Sequence, residues 1–349
     1  MNKIIIGNQI ISNESPCFII AEAGVNHNGD INIARKLVEK AKDSGANCVK
    51  FQTYKTERVI TKDAPKANYQ KLTTSPNESQ FDMLKKIELS KKMHYDLIDY
   101  CKELDILFLS TPYNEEDVDF LEDLDVPAFK LASIHAAEPS FVEYAASKKK
   151  PIILSTGMAT MSDIDTAIRG CTNLNNQEII LLQCTTNYPS KHQDSNILAM
   201  KTMAKTFKKI VGFSDHTQNN ISCIAAIALG AKVIEKHFTI DKSLPGPDQS
   251  SSLTPDEFKV FVKNIRQTEE CLGSGIKIPT NEEIKNSLGM RRSIVAKIRI
   301  KKGEIIKNNH LTFKRPSDGL NPNLISHLIG RKAKVDIGID QKVDFRDLL

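Results

Sequence analysis

Phe18-Ile-Ile-Ala-Glu22 is a short β-branched, apolar run, and Ala34, Leu37, Val38 and Ala41 follow it at helical spacing. The run reads as a buried strand. The four later residues share one face of a helix that Asp30 can cap and Gly45 can stop. The same strand-then-helix rhythm recurs, with strands expected near Cys48, Ile106, Ala128, Pro151, Glu178, Lys209 and Val233 and a long irregular insert around residues 55 to 80. Eight such units predict an α/β fold, a closed (β/α)8 TIM barrel, with an open doubly wound sheet as the alternative. The last helix is announced by the capping box Thr254-Pro-Asp-Glu257 and by Phe258, Phe261, Val262 and Ile265 on one face.

Length fits this reading. A barrel of ~250 residues leaves a remainder in a chain of 349. The predicted organisation is a barrel over residues 1–273, a linker over 274–290 and a compact, strand-rich module over 291–349. That module carries Ser293-Ile-Val-Ala-Lys-Ile298, Lys302-Gly303 and Leu311-Thr-Phe-Lys314. The longest apolar runs, Ile152 to Leu154 and Ile179 to Leu182, are far shorter than the ~20 residues of a membrane helix, and no signal peptide is evident. The expectation is a soluble, cytoplasmic protein with no membrane partner.

Lysine and arginine exceed the acidic residues by a net +5, spread along the chain with no aromatic-laced basic stripe, which argues against a nucleic-acid partner. The seven cysteines are scattered without a C-x-x-C pair and read as reduced thiols, mostly core.

Polar residues at the carboxyl ends of barrel strands are where barrel enzymes build their sites. Here they are Glu22; Lys50 and Gln52; Ser110 and Thr111; Lys130 and Ser133; Ser155; Thr185 to Tyr188; Ser214 to His216; and Glu235 to His237. Residues two apart share a strand face, so Glu22, His216 and His237 are expected to converge, because closure sets the last strand beside the first. Two imidazoles and a carboxylate suit a divalent ion such as Mn²⁺, with Mg²⁺, Co²⁺ or Zn²⁺ as alternatives, and suit Ca²⁺ poorly. Lys50 and Lys130 would repel unless an anion lay between them. Hydroxyls of Thr111, Ser133, Ser155 and Ser214 and the amide of Asn187 could complete a phosphate or carboxylate cradle. A Schiff-base lysine is the rival use of either amine.

The ordered motifs Ile20-Ala-Glu-Ala-Gly-Val-Asn-His-Asn-Gly29, Val49-Lys-Phe-Gln52, Leu109-Ser-Thr-Pro112, Leu154-Ser-Thr-Gly-Met158, Gly212-Phe-Ser-Asp-His216, Glu235-Lys-His-Phe-Thr239, Gly246-Pro-Asp248 and Lys314-Arg-Pro316 span the chain. In these the chain resembles the bacterial sialic acid (nonulosonate) synthases, which condense phosphoenolpyruvate with an N-acylated hexosamine. The resemblance implies His216 and His237 as Mn²⁺ ligands and Glu22 beside the reacting carbons. It also implies Lys50, Thr111, Lys130, Ser133, Ser155, Asn187 and Ser214 around phosphoenolpyruvate, and Gln52, Tyr188 and Asp248 around the sugar. The tail resembles the antifreeze-like (SAF) module, which in a domain-swapped homodimer covers the partner's barrel mouth with an arginine, here Arg315. Two departures bear on the acceptor: His135 stands where many relatives have glutamate, and Gln249 where many have histidine. N-acetylmannosamine is the default acceptor, a 2,4-diacetamido-2,4,6-trideoxyhexose the alternative, and a non-catalytic sugar-binding barrel the competing class.

Overall fold

The computed structural model describes residues 3–75 and 77–349. They divide into two compact units, one ending at Gly273 and the other spanning Ser274–Leu349. The first opens with an antiparallel hairpin of β1 (Ile4–Ile6) and β2 (Gln9–Ile11). Eight parallel strands follow: β3 (Phe18–Gly24), β4 (Cys48–Thr53), β5 (Leu107–Pro112), β6 (Phe129–Leu131), β7 (Ile152–Ser155), β8 (Ile179–Cys184), β9 (Ile210–Asp215) and β10 (Val233–His237). Each starts within a residue or so of the position expected from the sequence.

The ladder runs β5-β4-β3-β10-β9-β8-β7-β6, so the last barrel strand pairs with the first. This is a near-closed TIM barrel: β5 and β6 lie side by side with no registered ladder between them among the described residues. Neighbours in the ring are neighbours in sequence apart from that one closure. A doubly wound sheet would instead reverse direction at a switch point.

Strand alternation divides the apolar residues into two layers. Ile19, Ala21, Val49, Phe51, Leu154 and Leu181 face the surrounding helices. Ile20, Cys48, Leu109, Ile153, Ile180 and Val233 fill the tube, and Ile4, Ile6 and Ile11 of the hairpin plug its amino-terminal end. The helix Ile31–Asp43 is capped by Asp30, whose side chain accepts from Asn32 N, and buries Ala34, Leu37, Val38 and Ala41. The helix Pro255–Leu272 has the reciprocal Thr254–Glu257 capping box and buries Phe258, Phe261, Val262 and Ile265.

Three expectations need correction. The insert around residues 55 to 80 is not irregular throughout: it forms helices Thr56–Val59 and Asn68–Thr73 and leads into Gln80–Lys86. Local side-chain caps hold these short turns, such as Ser79 accepting from Asp82 N and Glu88 accepting from Thr56 N. Within residues 274–290, the capping box Thr280–Glu283 starts a helix, Asn281–Met290, none of whose residues is buried.

The third correction concerns the strand-rich module. It has one ladder, β11 (Ser293–Ala296) with β12 (Leu311–Lys314), and otherwise single bridges such as Ile300 with Ile337 and 3-10 turns. Its own core gathers Ile294, Ile300, Ile306, Leu328 and Ile337. Among the described residues no helix is long and apolar enough to cross a membrane.

Candidate active site

The strand faces that carry the tube's apolar filling carry its polar residues one step higher. β3 runs Phe18, Ile20, Glu22; β4 runs Cys48, Lys50, Gln52; and β10 runs Val233, Glu235, His237. Register makes them neighbours: Glu22 pairs with His237 on one side and Lys50 on the other, and Glu235 pairs with Ser214. Gly212 lets β9 and β10 approach, since a Cβ there would lie 2.2 Å from the Val233 carbonyl oxygen.

Four charged side chains are buried together. Lys50 Nζ lies 2.7 Å from Glu22 Oε2 and 3.8 Å from Glu235 Oε1, and Lys130 Nζ lies 3.5 Å from Glu235 Oε1. The anion that lies between the two lysines is the protein's own Glu235. Sequence reading placed Glu235 on the face of His237 but gave it no role. Burial pushes Glu22 up to about 7 against the opposing pull of Lys50. Burial also works against ionised Glu235, but Lys130 and Lys50 outweigh it and hold its carboxyl below the usual range. Lys130 is lowered, chiefly by burial.

Hydroxyls border this cluster. Lys50 donates to Thr111 Oγ1 at 3.0 Å, and Ser214 Oγ donates to Glu235 Oε1 at 3.2 Å. Ser133, which opens the 3-10 turn Ser133–Ala137 rather than ending β6, accepts from Gly157 N at 3.0 Å. Ser155 Oγ, Glu235 Oε2, His237 Nδ1 and His135 Nε2 are buried with no hydrogen-bond partner among the described residues. Unpaired buried polar atoms are costly, and a cluster of them marks where a ligand is expected.

The rings of His216 and His237 adjoin, with centroids 5.3 Å apart, and Tyr188 packs on both at 4.1 and 5.4 Å. His216 Nδ1 lies 2.7 Å from the Thr185 carbonyl oxygen. Only a protonated Nδ1 can make that bond, so the neutral ring keeps its lone pair on Nε2, the arrangement usual in metal-binding histidines. His237 Nδ1 stands 3.8 Å from Asp248 Oδ2, beyond hydrogen-bond reach. Burial and the facing His216 push His237 well below the usual imidazole range. Burial raises Asp248 to about 6.

The expected meeting of Glu22 with both imidazoles is not seen. Lys50, its register neighbour, holds the carboxylate, and among the described residues no group of three His, Cys, Asp or Glu side chains is arranged around an ion. Two adjoining imidazoles, deprotonated on binding, can still hold a divalent ion whose remaining positions are filled by water or substrate oxygens.

The outer positions are more scattered. Gln52 donates to Glu22 Oε1 at 3.4 Å and accepts from Tyr113 OH at 3.3 Å. Asn187 is exposed in the loop after β8. His135 is buried against Phe141, with Nδ1 2.7 Å from Glu138 Oε2. Gln249 is buried and bonds Thr239 and the Asn26 carbonyl. Arg315 is exposed in the second unit, one residue past β12.

The chain is similar to known proteins over nearly its whole length. The NeuB family profile matches residues 37–277, and the SAF domain profile matches 291–348. The chain is 45% identical over 327 residues to the N,N'-diacetyllegionaminic acid synthase of Campylobacter jejuni, covering 93% of this chain and 98% of that protein. It is 42% identical to the enzyme of the same name from Legionella pneumophila, covering 96% of each. The crystal structure of N-acetylneuraminic acid synthetase from Leptospira borgpetersenii in complex with citrate superposes with a TM-score of 0.73 at 32% identity, over 82% of this chain and 95% of that one. With its barrel, its SAF domain and relatives of this kind, the chain belongs to the NeuB family of nonulosonic acid synthases.

Proposed function

We propose that the enzyme condenses phosphoenolpyruvate with the open-chain form of a 2,4-diacetamido-2,4,6-trideoxyhexose, releasing phosphate and a legionaminic-type acid. The observation that supports it most is the buried pair Lys50 and Lys130 beside two adjoining imidazoles, with unpartnered polar atoms around them. The two ammonium groups hold the phosphate and carboxylate of phosphoenolpyruvate. The hydroxyls of Thr111, Ser133, Ser155 and Ser214 donate to its oxygens, and Asn187 closes over it from the loop. Fixing its C3 above the aldehyde carbon turns a bimolecular attack into a local one.

Carbon–carbon bond formation leaves positive character at C2, water adds there, and the C–O bond to phosphate breaks. Glu22, raised to about 7, is suited to take the water's proton near neutral pH. Charge accounting supports a metal. Lys50 and Lys130 are offset by ionised Glu235 and partly ionised Glu22, leaving less positive charge than a phosphate plus a carboxylate would need. A divalent ion on His216 and His237, with Mn²⁺ preferred, would supply that charge and Lewis-acid polarisation of the aldehyde oxygen.

N-acetylmannosamine, the default on sequence alone, gives way to the diacetamido sugar because the relatives at 45% and 42% identity are named for the diacetyl product. The His135 environment, walled by Phe141 and Tyr113 with Nε2 unpaired, suits an acetamido group that needs one polar partner and an apolar wall. Gln52, Tyr188 and Asp248 would bind the sugar hydroxyls, and Arg315 of a second subunit would complete the mouth in a domain-swapped homodimer.

Incubating the protein with phosphoenolpyruvate and each candidate sugar, with mass spectrometry of the product, tests the whole reading. A legionaminic-type acid from the diacetamido sugar is expected. No phosphate release with any N-acyl sugar would remove the reading, and exclusive use of N-acetylmannosamine would overturn the acceptor.

A further inference from the structure

The alternation that points Ser214, His216, Glu235 and His237 into the barrel points Asp215 and Lys236 out of it. They are register partners on β9 and β10, their side chains are 0% exposed, and Lys236 Nζ lies 2.7 Å from Asp215 Oδ2. Lys236 also donates to the carbonyls of Thr217 and, at 3.0 Å, Asn219. Asp215 accepts from Thr217 N at 2.9 Å, Thr217 Oγ1 at 3.0 Å and Cys223 Sγ at 3.1 Å. Both charges are thus fully partnered among residues behind the site.

A buried ion pair is weak support for stability, because apolar side chains of similar volume often do as well once desolvation is counted. This pair does something packing cannot. Its bonds to residues 217 and 219 fold the chain back immediately after His216, and it ties the strand of His216 to that of His237. The His216 carbonyl is held as well, by Ser190 N at 2.9 Å.

We infer that Asp215 and Lys236 are positioning residues that set the spacing of the His216 and His237 imidazoles from behind, and so set the affinity for a divalent ion. The inference rests on the metal reading proposed above.

The test is Mn²⁺ binding to the full-length protein, followed by the electron paramagnetic resonance of free Mn²⁺, in the parent and in Asp215→Leu/Lys236→Met, with circular dichroism to confirm folding. Supporting contacts behind metal ligands typically govern affinity ~10–100-fold, so the double variant is expected to fold and to raise the Mn²⁺ Kd roughly tenfold or more. A folded double variant with the parental Kd overturns the positioning role while leaving the metal reading intact. A parent that binds no Mn²⁺ overturns the metal reading and this inference with it. If the double variant does not fold, Thr217→Val, which removes one bond to Asp215 and no charge, decides: a Kd raised about two- to threefold supports the role, and an unchanged Kd counts against it.

Discussion

The lower and upper halves of the barrel interior are built by the same strands and are equally dry, yet they are chemically opposite. Ile20, Ile153 and Ile180 below are fully buried, and Glu22, Lys50, Lys130 and Glu235 above expose only 2%, 2%, 3% and 4% of their surface. Burial below is favourable in itself, at roughly 1.5–3 kcal/mol per large side chain. Above, every charge loses hydration and is compensated only in part, by neighbouring charges and a few side-chain hydrogen bonds. The lower half therefore holds the barrel together, and the upper half is held in place by it and left with unmet polar demand.

That contrast breaks if histidine changes in the upper half leave chemistry intact. His216→Ala and His237→Ala should each lower kcat/KM by about three orders of magnitude, ~4 kcal/mol in the barrier, with melting temperatures within a few degrees of the parent. The floor should behave in the opposite way: Ile180→Ala should weaken unfolding free energy by about 2–5 kcal/mol and leave kcat/KM of the folded enzyme within about twofold. Urea titration and steady-state kinetics on the same samples check both.

Glu22 gives a finer test, because the sign is fixed. Its folded-state pKa of about 7 lies above the ordinary carboxylate value. Between the two the folded protein binds the extra proton, so stability falls as pH rises through that window and the deficit is complete above pH 7. Glu22→Gln should thus melt higher than the parent at pH 8, by an amount on the order of 1–3 kcal/mol, with the gap closing toward pH 5. The variant should also bind phosphoenolpyruvate and lose turnover. An equal gap at both pH values would show that the carboxyl ionises normally. The smallest effect is expected at His135: His135→Gln should raise KM for the diacetamido sugar about six- to tenfold, at the low end of the ~1–3 kcal/mol of one pocket contact, while KM for phosphoenolpyruvate holds.

Much of this contrast is legible in the sequence, because a two-residue period carries it. Phe18, Ile20 and Glu22 already display the change from apolar to charged along one face, as do Cys48 and Lys50. What the period cannot supply is which partner a charge takes across the ring. Glu22 was expected beside an ion with the histidines, but its register neighbour Lys50 holds it. The tie between Glu235 and both lysines joins three strands, β4, β6 and β10, that are far apart in the sequence. The short helices of the insert have too few turns to establish a stripe, and the helix Asn281–Met290 buries no residue and so has none to display. Asp215 and Lys236 are hidden for a different reason: each stands beside a histidine with an evident role, but on the opposite strand face.

The hairpin stopper has a consequence for how the chain is made. Ile4, Ile6 and Ile11 share one buried cluster with Ile210 and Val233, so the seat for the hairpin is not complete until residue 233 has left the ribosome. Throughout that interval the three isoleucines have no home. A chaperone that engages emerging greasy segments would find a client site there that stays open until the last barrel strand is made.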